Sequence, residues 1–324
     1  MGRSFCCPWT AGALWRPGRP LPGAFQTFGA YVDPENILLG AGTDFLYNLL
    51  LQLLGQDKVY AVEDPGYGKI RKIYAAGGVT CLSVPMDASG IRPDCLGDAR
   101  VLHLSPAHHF PTGLVTPLHR RRALIDWAQR VDGFIIEDDY DSEFRFQGRP
   151  LAPMQTMDPE RVIYMNTFSK TLSPSIRISY MVLPQALMAR FREKLGFYGC
   201  TVPSFEQYTL AYFLDRGYFE KHINRMRKFY RARRNRVIAM LERCPAADKL
   251  TILEQDAGLH FLLKVETALD DRALTALFAQ SGLHVQPLSS FYTRQTEDCR
   301  GMLVINYSAV DERALEEGLG KLEI

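Results

Sequence analysis

Short apolar runs alternate with amphipathic segments through the first half of this 324-residue chain. A helical spacing of apolar residues, clearest at Leu118–Arg130, separates the runs. The runs of strand length lie at residues 37–39, 59–62, 80–84, 101–104, 133–136 and 161–165. Strands that alternate with helices in this way predict an α/β fold with a mostly parallel central sheet and helices on both faces. In such a sheet, ligands bind beyond the carboxyl ends of the strands, so functional residues are expected in those loops.

The second half of the chain has a different pattern, which predicts a smaller C-terminal α+β domain. Residues 185–241 have a helical pattern with few breaks. Strand-like runs and helical segments then follow at residues 259–265, 270–281, 302–306 and 311–322. We therefore predict a large domain over residues 29–205, and a linking helix with the small domain over residues 206–324. Residues 1–28 are rich in proline, glycine and arginine and have no strand or helix period, so no fold is assigned to them.

The charge of the chain favours a small-molecule partner. It carries 38 Lys+Arg against 36 Asp+Glu, a formal net charge of +2, which argues against nucleic acid or a membrane surface as the ligand. The longest apolar stretch, residues 45–54, is far shorter than the roughly 20 residues that cross a bilayer. The seven cysteines include no C-x-x-C pair, so we expect reduced thiols, a cytoplasmic location and no metal site.

Residues 167–177 contain the first candidate for chemistry. Lys170 lies between small hydroxyl residues directly after a predicted strand, where simple solvation of a lysine is not expected, and Arg177 follows on the same loop. Two cations near one loop indicate an anionic cofactor. A partly desolvated lysine amine is a nucleophile for aldehydes, so Lys170 is a candidate for Schiff-base formation. Taken alone, a Ser-Lys pair is more often part of a solvated surface loop.

Residues 137–144 contain five carboxylates directly after another predicted strand. Acids in such a position repel one another unless some of them meet a cation, and a pyridinium nitrogen is one candidate partner. Metal binding is the competing interpretation, but no histidine has ligand spacing and the acids are not interleaved as in a calcium loop. A solvated acidic turn is the plainer interpretation of this segment by itself.

Four motifs in order resemble the fold type I pyridoxal-phosphate (PLP) enzymes of aminotransferase class I/II. They are most similar to the aminotransferase-like domain of MocR-type regulators of the GntR family. The motifs lie at residues 105–113, 137–146, 167–184 and 222–236, and the resemblance runs from about residue 31 to the end. It implies a PLP transferase fold type I large domain, pyridoxal 5′-phosphate as cofactor, an amino donor and a 2-oxo acid as ligands, and a homodimer.

The resemblance also implies roles for individual residues. Lys170 would carry the cofactor as a Schiff base and move protons, Asp138 would pair with the protonated pyridine nitrogen, and Tyr140 would hydrogen-bond the phenolic oxygen. The other cofactor-binding residues that it implies are Gly42, Thr43, Tyr67, His108, Thr167 and Arg177.

Among those residues, the phosphate cradle would consist of Thr167, Arg177 and the backbone of Gly42 and Thr43, where a helix N-terminus suits an anion. Tyr67 corresponds to the aromatic that stacks on the cofactor ring, although a buried core tyrosine is its simpler interpretation. His108 or His109 would lie beside the ring.

The sequence departs from the family where the substrate carboxylate would bind. The family's Arg-x-x-aromatic pattern, aligned on Tyr307, puts Val304 in place of the arginine. Arg300 or Lys69 are candidate substitutes, but neither reproduces a bidentate fork. Phe110 stands where classical aminotransferases have the Asn before Pro-Thr-Gly, so one contact that those enzymes make to the ring is missing here.

The N-terminal residues depart further. No winged-helix pattern occurs in them, so we expect no DNA binding by this chain itself. The family's Tyr-Gly-Asp-Pro-x-Gly-Leu stretch is also absent, yet residues 14–21 can be back-translated so that a neighbouring frame encodes it. This suggests the hypothesis that residues 1–28 are a frameshift product, which the nucleotide sequence would decide.

Two further features receive structural interpretations. The basic residues Arg225, Arg227, Lys228, Arg231, Arg233, Arg234 and Arg236 are predicted to be a solvated helix face rather than a nucleic-acid site, because apolar residues accompany them at helical spacing. His260 is expected to be structural rather than catalytic.

Three functions are compatible with these residues. The leading hypothesis is a PLP-dependent aminotransferase that acts through Lys170. The alternative is the PLP-binding, effector-sensing domain of a truncated MocR-type transcriptional regulator without full transaminase turnover, which Val304 favours. The third is a degraded fragment that folds badly. The sequence does not name the amino donor or acceptor.

Overall fold

The chain has the predicted α/β architecture. This computed structural model describes residues 32–146, 152–253, 256–294 and 299–322. Within these ranges, the strands form an eight-stranded mixed sheet and a four-stranded antiparallel sheet. The N-terminal segment 1–28, to which we assigned no fold, lies outside the described residues.

Most strands of the large sheet are parallel. The strands are β1 (Ile37–Gly40), β2 (Tyr60–Asp64), β3 (Cys81–Asp87), β4 (Gly90–Ile91), β5 (Val101–Leu104), β6 (Phe134–Asp139), β7 (Val162–Thr167) and β8 (Ser179–Val182). Their order is β1-β8-β7-β6-β5-β2-β3-β4, and β7, β6, β5, β2 and β3 are parallel. Because β8 is antiparallel to both of its neighbours, β1 runs in the direction of the parallel strands. The carboxyl ends of β1, β2, β5, β6 and β7 therefore meet at one edge.

Helices cover both faces of the large sheet, as predicted. The α-helices are α1 (Thr43–Leu54), α2 (Gly68–Ala76), α3 (Leu118–Arg130), α4 (Met154–Met157), α5 (Phe168–Thr171), α6 (Gln185–Lys194), α7 (Ser204–Asp215), α8 (Tyr218–Leu241), α9 (Asp271–Gln280) and α10 (Glu312–Leu319). Successive side chains of a strand point to opposite faces. Ile136 accordingly packs with residues of α1, α2 and α6, whereas Ile135 packs with residues of α3.

Strand β6 continues through the acidic residues, which the sequence had placed beyond its end. Its backbone pairs with β7 as far as Asp139, opposite Asn166. Glu137, Asp138 and Asp139 are all buried. The interpretation of these acids as a solvated turn is therefore wrong, because the sheet carries them into the interior.

The small sheet has the order β11-β12-β10-β9, with β9 at Leu250–Leu253, β10 at His260–Val265, β11 at Gln286–Pro287 and β12 at Met302–Asn306. Strands β10 and β12 lie where the sequence predicts them, and Phe261 and Leu303 are completely buried in the core that they share with Phe278 of α9. Strands β4, β8, β9 and β11 were not predicted. They have only two to four residues, and the sequence analysis recognised runs of that length only where they belonged to the regular alternation of strands and helices.

The predicted helical region over residues 185–241 is three helices. Pro203 precedes α7, and Gly217, which has a φ of +68°, precedes α8. Phe219, in the first turn of α8, packs against the large sheet, whereas Val237, near its other end, packs in the core of the small sheet. Helix α8 thus runs from one sheet to the other. The domain boundary near residue 205 stays a prediction.

The arginines of α8 connect the two parts of the chain. Arg227 donates to the Glu143 carbonyl, and Arg231 donates to the Phe146 carbonyl at 3.0 Å. On the other side, Arg233 donates to the carbonyls of Ser308 and Val310 at 2.6 and 2.7 Å, and Arg236 binds Glu312. The prediction of a solvated basic face is therefore wrong for Arg227 and Arg233, which are only partly exposed, and for Arg234, which is buried. Arg231 and Arg236 are exposed, as predicted. Within the described ranges, no helix has both the length and the hydropathy needed to cross a membrane.

Candidate active site

A cavity of about 380 Å³ opens at the carboxyl edge of the large sheet. This volume is typical of a small-molecule site. Most of the residues predicted to bind a cofactor line it. These are Gly42, Thr43, Tyr67, Asp138, Tyr140, Thr167, Lys170 and Arg177. His108 does not line the cavity, but it contacts Tyr140, which does.

A buried hydrogen-bond network holds Asp138 at the end of β6. The Tyr47 hydroxyl donates to Asp138 Oδ2, and His103 Nε2 lies 3.3 Å from the same oxygen. The Tyr74 hydroxyl lies 2.6 Å from His103 Nδ1. Burial raises the pKa of Tyr47 and of Tyr74, so both phenols remain protonated donors. Asp138 Oδ1 is buried and has no partner among the described residues, which makes it the acceptor available to a ligand.

Gly42, Thr43 and Arg177 form an anion-binding corner. Helix α1 begins at Thr43, and the first N–H groups of a helix have no partner within it. Gly42 has a φ of +97°, and a Cβ atom there would lie 2.4 Å from Arg177 Nη2. Only glycine therefore lets the guanidinium approach the start of α1 this closely.

Thr167 and Lys170 come from the end of β7 and the short helix α5. Thr167 Oγ1 accepts from the Ser169 N–H at 3.2 Å and from the Ser179 hydroxyl at 2.9 Å, which fixes the start of α5. Lys170 is exposed on this helix, whereas Phe168 and Thr171 are buried. The expected partial burial of Lys170 is therefore wrong for the single chain, because its side chain is on the open side of the helix.

Tyr67 lies at the cavity with 48% of its surface exposed. Its ring meets Phe110 edge-on with the centroids 6.0 Å apart, and Phe110 in turn meets Phe291 edge-on at 5.2 Å. The interpretation of Tyr67 as a buried core tyrosine is therefore wrong. One face of the tyrosine is available to a ligand in the cavity.

His108 bridges Tyr140 and Asp141 behind the cavity wall. Its Nδ1 atom lies 3.3 Å from the Tyr140 hydroxyl and 3.1 and 3.0 Å from the Asp141 oxygens. His108, Asp141 and His260 are buried, and one potential ligand atom of each lies within 4.8 Å of the others, a composition also found in metal sites. Here, however, hydrogen bonds join Asp141 to His108 and the Pro111 backbone to His260. The absence of a metal stays a prediction.

Tyr47, His103 and Glu63 are among the cavity residues that the sequence analysis missed. Glu63 lines the cavity, and its Oε2 atom accepts from the Ser105 N–H at 2.9 Å. Burial raises the pKa of Glu63 to about 8 and lowers the pKa of the neighbouring His109 to about 3. Their place in the strands could have indicated them, because His103 and Glu63 lie near the carboxyl ends of β5 and β2, where functional residues were expected.

The aminotransferase class I and II family matches residues 26–322 of the chain. The chain belongs to this family. It is 36% identical to YdeL, an uncharacterized HTH-type transcriptional regulator of Bacillus subtilis, with 96% of this chain and 69% of YdeL covered. It is 32% identical to the probable rhizopine catabolism regulatory protein MocR of Rhizobium meliloti, with 96% of this chain and 64% of MocR covered. The chain thus spans about two thirds of these relatives.

The crystal structure of a kynurenine aminotransferase from Pyrococcus horikoshii has the same fold. It matches 96% of this chain and 81% of that enzyme, with 25% identity and a TM-score of 0.75. The predicted resemblance to fold type I aminotransferases and to MocR-type regulators is confirmed.

This aminotransferase-family chain has an apolar cluster at the place predicted for the substrate-binding arginine. Val304 lies in β12 opposite Leu262 and is buried with Leu288 and Cys299. The Arg300 guanidinium donates to the carbonyls of Ala268 and Leu269, and Arg300 does not line the cavity. Lys69 does line it and pairs with Asp44 at 2.6 Å. Of the two suggested substitutes, only Lys69 lies at the site.

Proposed function

We propose that this protein is a PLP-dependent aminotransferase that moves an amino group between an amino compound and a 2-oxo acid, with Lys170 as the covalent lysine. The observation that carries the proposal is the buried, unpartnered Oδ1 atom of Asp138 in the same cavity as Lys170. A pyridine nitrogen that carries a proton needs such an acceptor, and a carboxylate provides it.

The other residues of the cavity also fit the cofactor. Its phosphate suits the start of α1 together with Arg177, and its ring suits the exposed face of Tyr67. When bound, the cofactor supplies an electron sink for the substrate α-carbon. Asp138 keeps the proton on the ring nitrogen, Tyr140 donates to the phenolic oxygen, and Lys170 Nζ accepts and returns the substrate proton.

The first experiment is visible absorption of the purified protein with added pyridoxal phosphate, before and after borohydride. We expect a yellow band that disappears on addition of borohydride, because reduction of the C=N bond to a secondary amine leaves the cofactor permanently attached to the peptide that contains Lys170. Lys170→Ala should lose the band, whereas Lys264→Ala, which removes an exposed lysine of β10, should keep it. A band of equal strength in Lys170→Ala contradicts the proposal.

A second candidate function is an effector sensor, which the regulator relatives and Val304 favour. Amino acids added to the loaded protein distinguish the two. Conversion to the amine form of the cofactor, reversed by a 2-oxo acid, supports an aminotransferase. A shifted band without conversion supports a sensor.

We also propose that the protein is a homodimer, in keeping with the family. Light scattering, which measures the molar mass of the protein in solution, tests this directly. We also propose a cytoplasmic location, because Cys81, Cys95 and Cys244 in the described ranges have free thiols.

A further inference from the structure

Tyr140, His108 and Asp141 form a buried chain of side chains beside the cavity. His108 and Asp141 are each 2% exposed. The same His108 atom, Nδ1, is 3.0 and 3.1 Å from the two Asp141 oxygens and 3.3 Å from the Tyr140 hydroxyl. One imidazole nitrogen is therefore shared by a carboxylate and a phenol.

The chemistry of the carboxylate fixes the direction of these hydrogen bonds. An ionised carboxylate only accepts hydrogen bonds, so His108 Nδ1 carries the proton. The Tyr140 oxygen can then only accept from that N–H. The proton of Tyr140 is left for an acceptor elsewhere, and Tyr140 lines the cavity.

The small sheet holds the imidazole in this orientation. The His260 ring lies 4.6 Å from the His108 ring, centroid to centroid. Gly258 packs against the same ring so closely that a Cβ atom would lie 1.9 Å from His108 Cε1 and 2.7 Å from Asp141 Oδ2. The Tyr307 hydroxyl donates to the Gly258 carbonyl and so fixes that backbone. The imidazole therefore has little freedom to turn.

We propose that His108, oriented by Asp141, is a positioning residue that donates to the Tyr140 oxygen and directs the Tyr140 proton to the phenolic oxygen of the cofactor. The proposal rests on the proposed function, since the acceptor belongs to the cofactor. Hydrogen bonds in a chain polarise one another, so His108 makes Tyr140 a stronger donor. Asp141 and Tyr140 act on His108. Among the described residues, the other charged or titratable groups that face these three side chains are Asp138, Asp139, Glu63, Glu143, His109, His260 and Tyr307.

The test is the pH midpoint of the Lys170-dependent absorption band. Loss of a proton from the bound group increases its negative charge, and a donor at the phenolic oxygen favours the more negative form. Removal of the His108 donor in His108→Leu is therefore expected to raise the midpoint by about one pH unit. His108→Asn keeps an N–H near the Nδ1 position and should therefore have a midpoint close to that of the wild-type protein. His119→Leu, an exposed histidine of α3, is the matched control and should leave the midpoint unchanged.

A second measurement needs neither a variant that folds nor the cofactor. The imidazole ¹⁵N spectrum of the wild-type protein is expected to show the His108 proton on Nδ1, and a proton on Nε2 alone overturns the proposal. An unchanged midpoint in folded His108→Leu overturns it too. Absence of the band in the wild-type protein contradicts the cofactor and this proposal together, whereas a normal wild-type band with an unmoved midpoint contradicts only this proposal.

Discussion

Asp44 and Lys69 form an ion pair of 2.6 Å at the wall of the cavity. Asp44 also lies 4.0 Å from Arg177 Nη2, so a carboxylate stands among the cations of the proposed phosphate site. The sequence did not indicate this arrangement, because residues 44, 69 and 177 come from three separate helices and loops.

Asp44→Asn is expected to strengthen binding of pyridoxal phosphate, because it removes a negative charge near the phosphate. Both partners of the pair are more than a third exposed, so the gain should be small, about two- to five-fold in Kd. A titration of the protein with pyridoxal phosphate, followed by the quenching of protein fluorescence, measures this Kd. Asp94→Asn, which breaks an exposed pair with Arg92 far from the cavity, is the control and should leave Kd unchanged.

Gly42→Ala is expected to weaken cofactor binding by about ten-fold, because the added Cβ displaces the Arg177 guanidinium and a charge-assisted hydrogen bond is lost. The matched control is Gly78→Ala. Gly78 also has a positive φ, +75°, but nothing lies within 4 Å of its Cβ position. Both variants should lose similar stability, and only Gly42→Ala should change Kd. Equal Kd values in the two variants would show that the corner does not bind the phosphate.

Glu63 is expected to make the protein less stable as the pH rises. Burial raises its pKa from 4.5 in the unfolded chain to about 8 in the folded one. Between these values the folded state binds more protons, so the free energy of unfolding falls as the pH increases, by at most about 1.4 kcal/mol per pH unit. Urea unfolding at pH 5 and pH 8 measures the difference.

Glu63→Gln should reduce this pH dependence by the contribution of Glu63, because the amide stays neutral throughout. Burial also raises the pKa of Glu137 to about 7 and that of Glu143 to about 8, so these two carboxyls keep their part of the slope. Glu266→Gln, at an exposed glutamate, should retain the wild-type slope. A Glu63→Gln protein with an unaltered slope would mean that Glu63 is charged in the folded state at neutral pH.

Val304→Arg tests whether the family's arginine can simply be restored. Val304 is buried among Leu262, Leu288 and Cys299, so a guanidinium there has no described acceptor. We expect a loss of about 3 kcal/mol or more in the free energy of unfolding. Thr251→Arg, at an exposed position of β9, should cost little. If Val304→Arg were as stable as the wild type and gained amino-acid turnover, the apolar cluster would not be what excludes the arginine.

The parts of the fold that the sequence predicts are those with long, regular patterns. Helix α3 has the predicted bounds, Leu118–Arg130, because its apolar stripe spans more than three turns. The cavity residues were found for a different reason. Asp138 lies in the last part of β6 and Lys170 follows β7, and the carboxyl ends of these two strands share an edge. In addition, four motifs in order identify the family.

The features that could not be predicted from the sequence depend on the order of the strands and on the direction in which side chains point. Tyr47 and His103 meet Asp138 only because α1 and β5 lie beside β6 in space. Nothing in the sequence of β8 indicates that this strand runs antiparallel to its neighbours β1 and β7. The exposure of Lys170 follows from the face of a four-residue helix, which no periodicity defines.

Three arginines of helix α8 bind main-chain carbonyls, and these carbonyls belong to both parts of the chain. Arg227 and Arg231 bind carbonyls of residues 143 and 146, and Arg233 binds carbonyls of residues 308 and 310. Every residue type offers the same carbonyl group, so the amino acids at positions 308 and 310, which are partly exposed, can change without loss of these hydrogen bonds. Positions 143 and 146 are constrained in addition by their side chains, because Glu143 and Phe146 are buried.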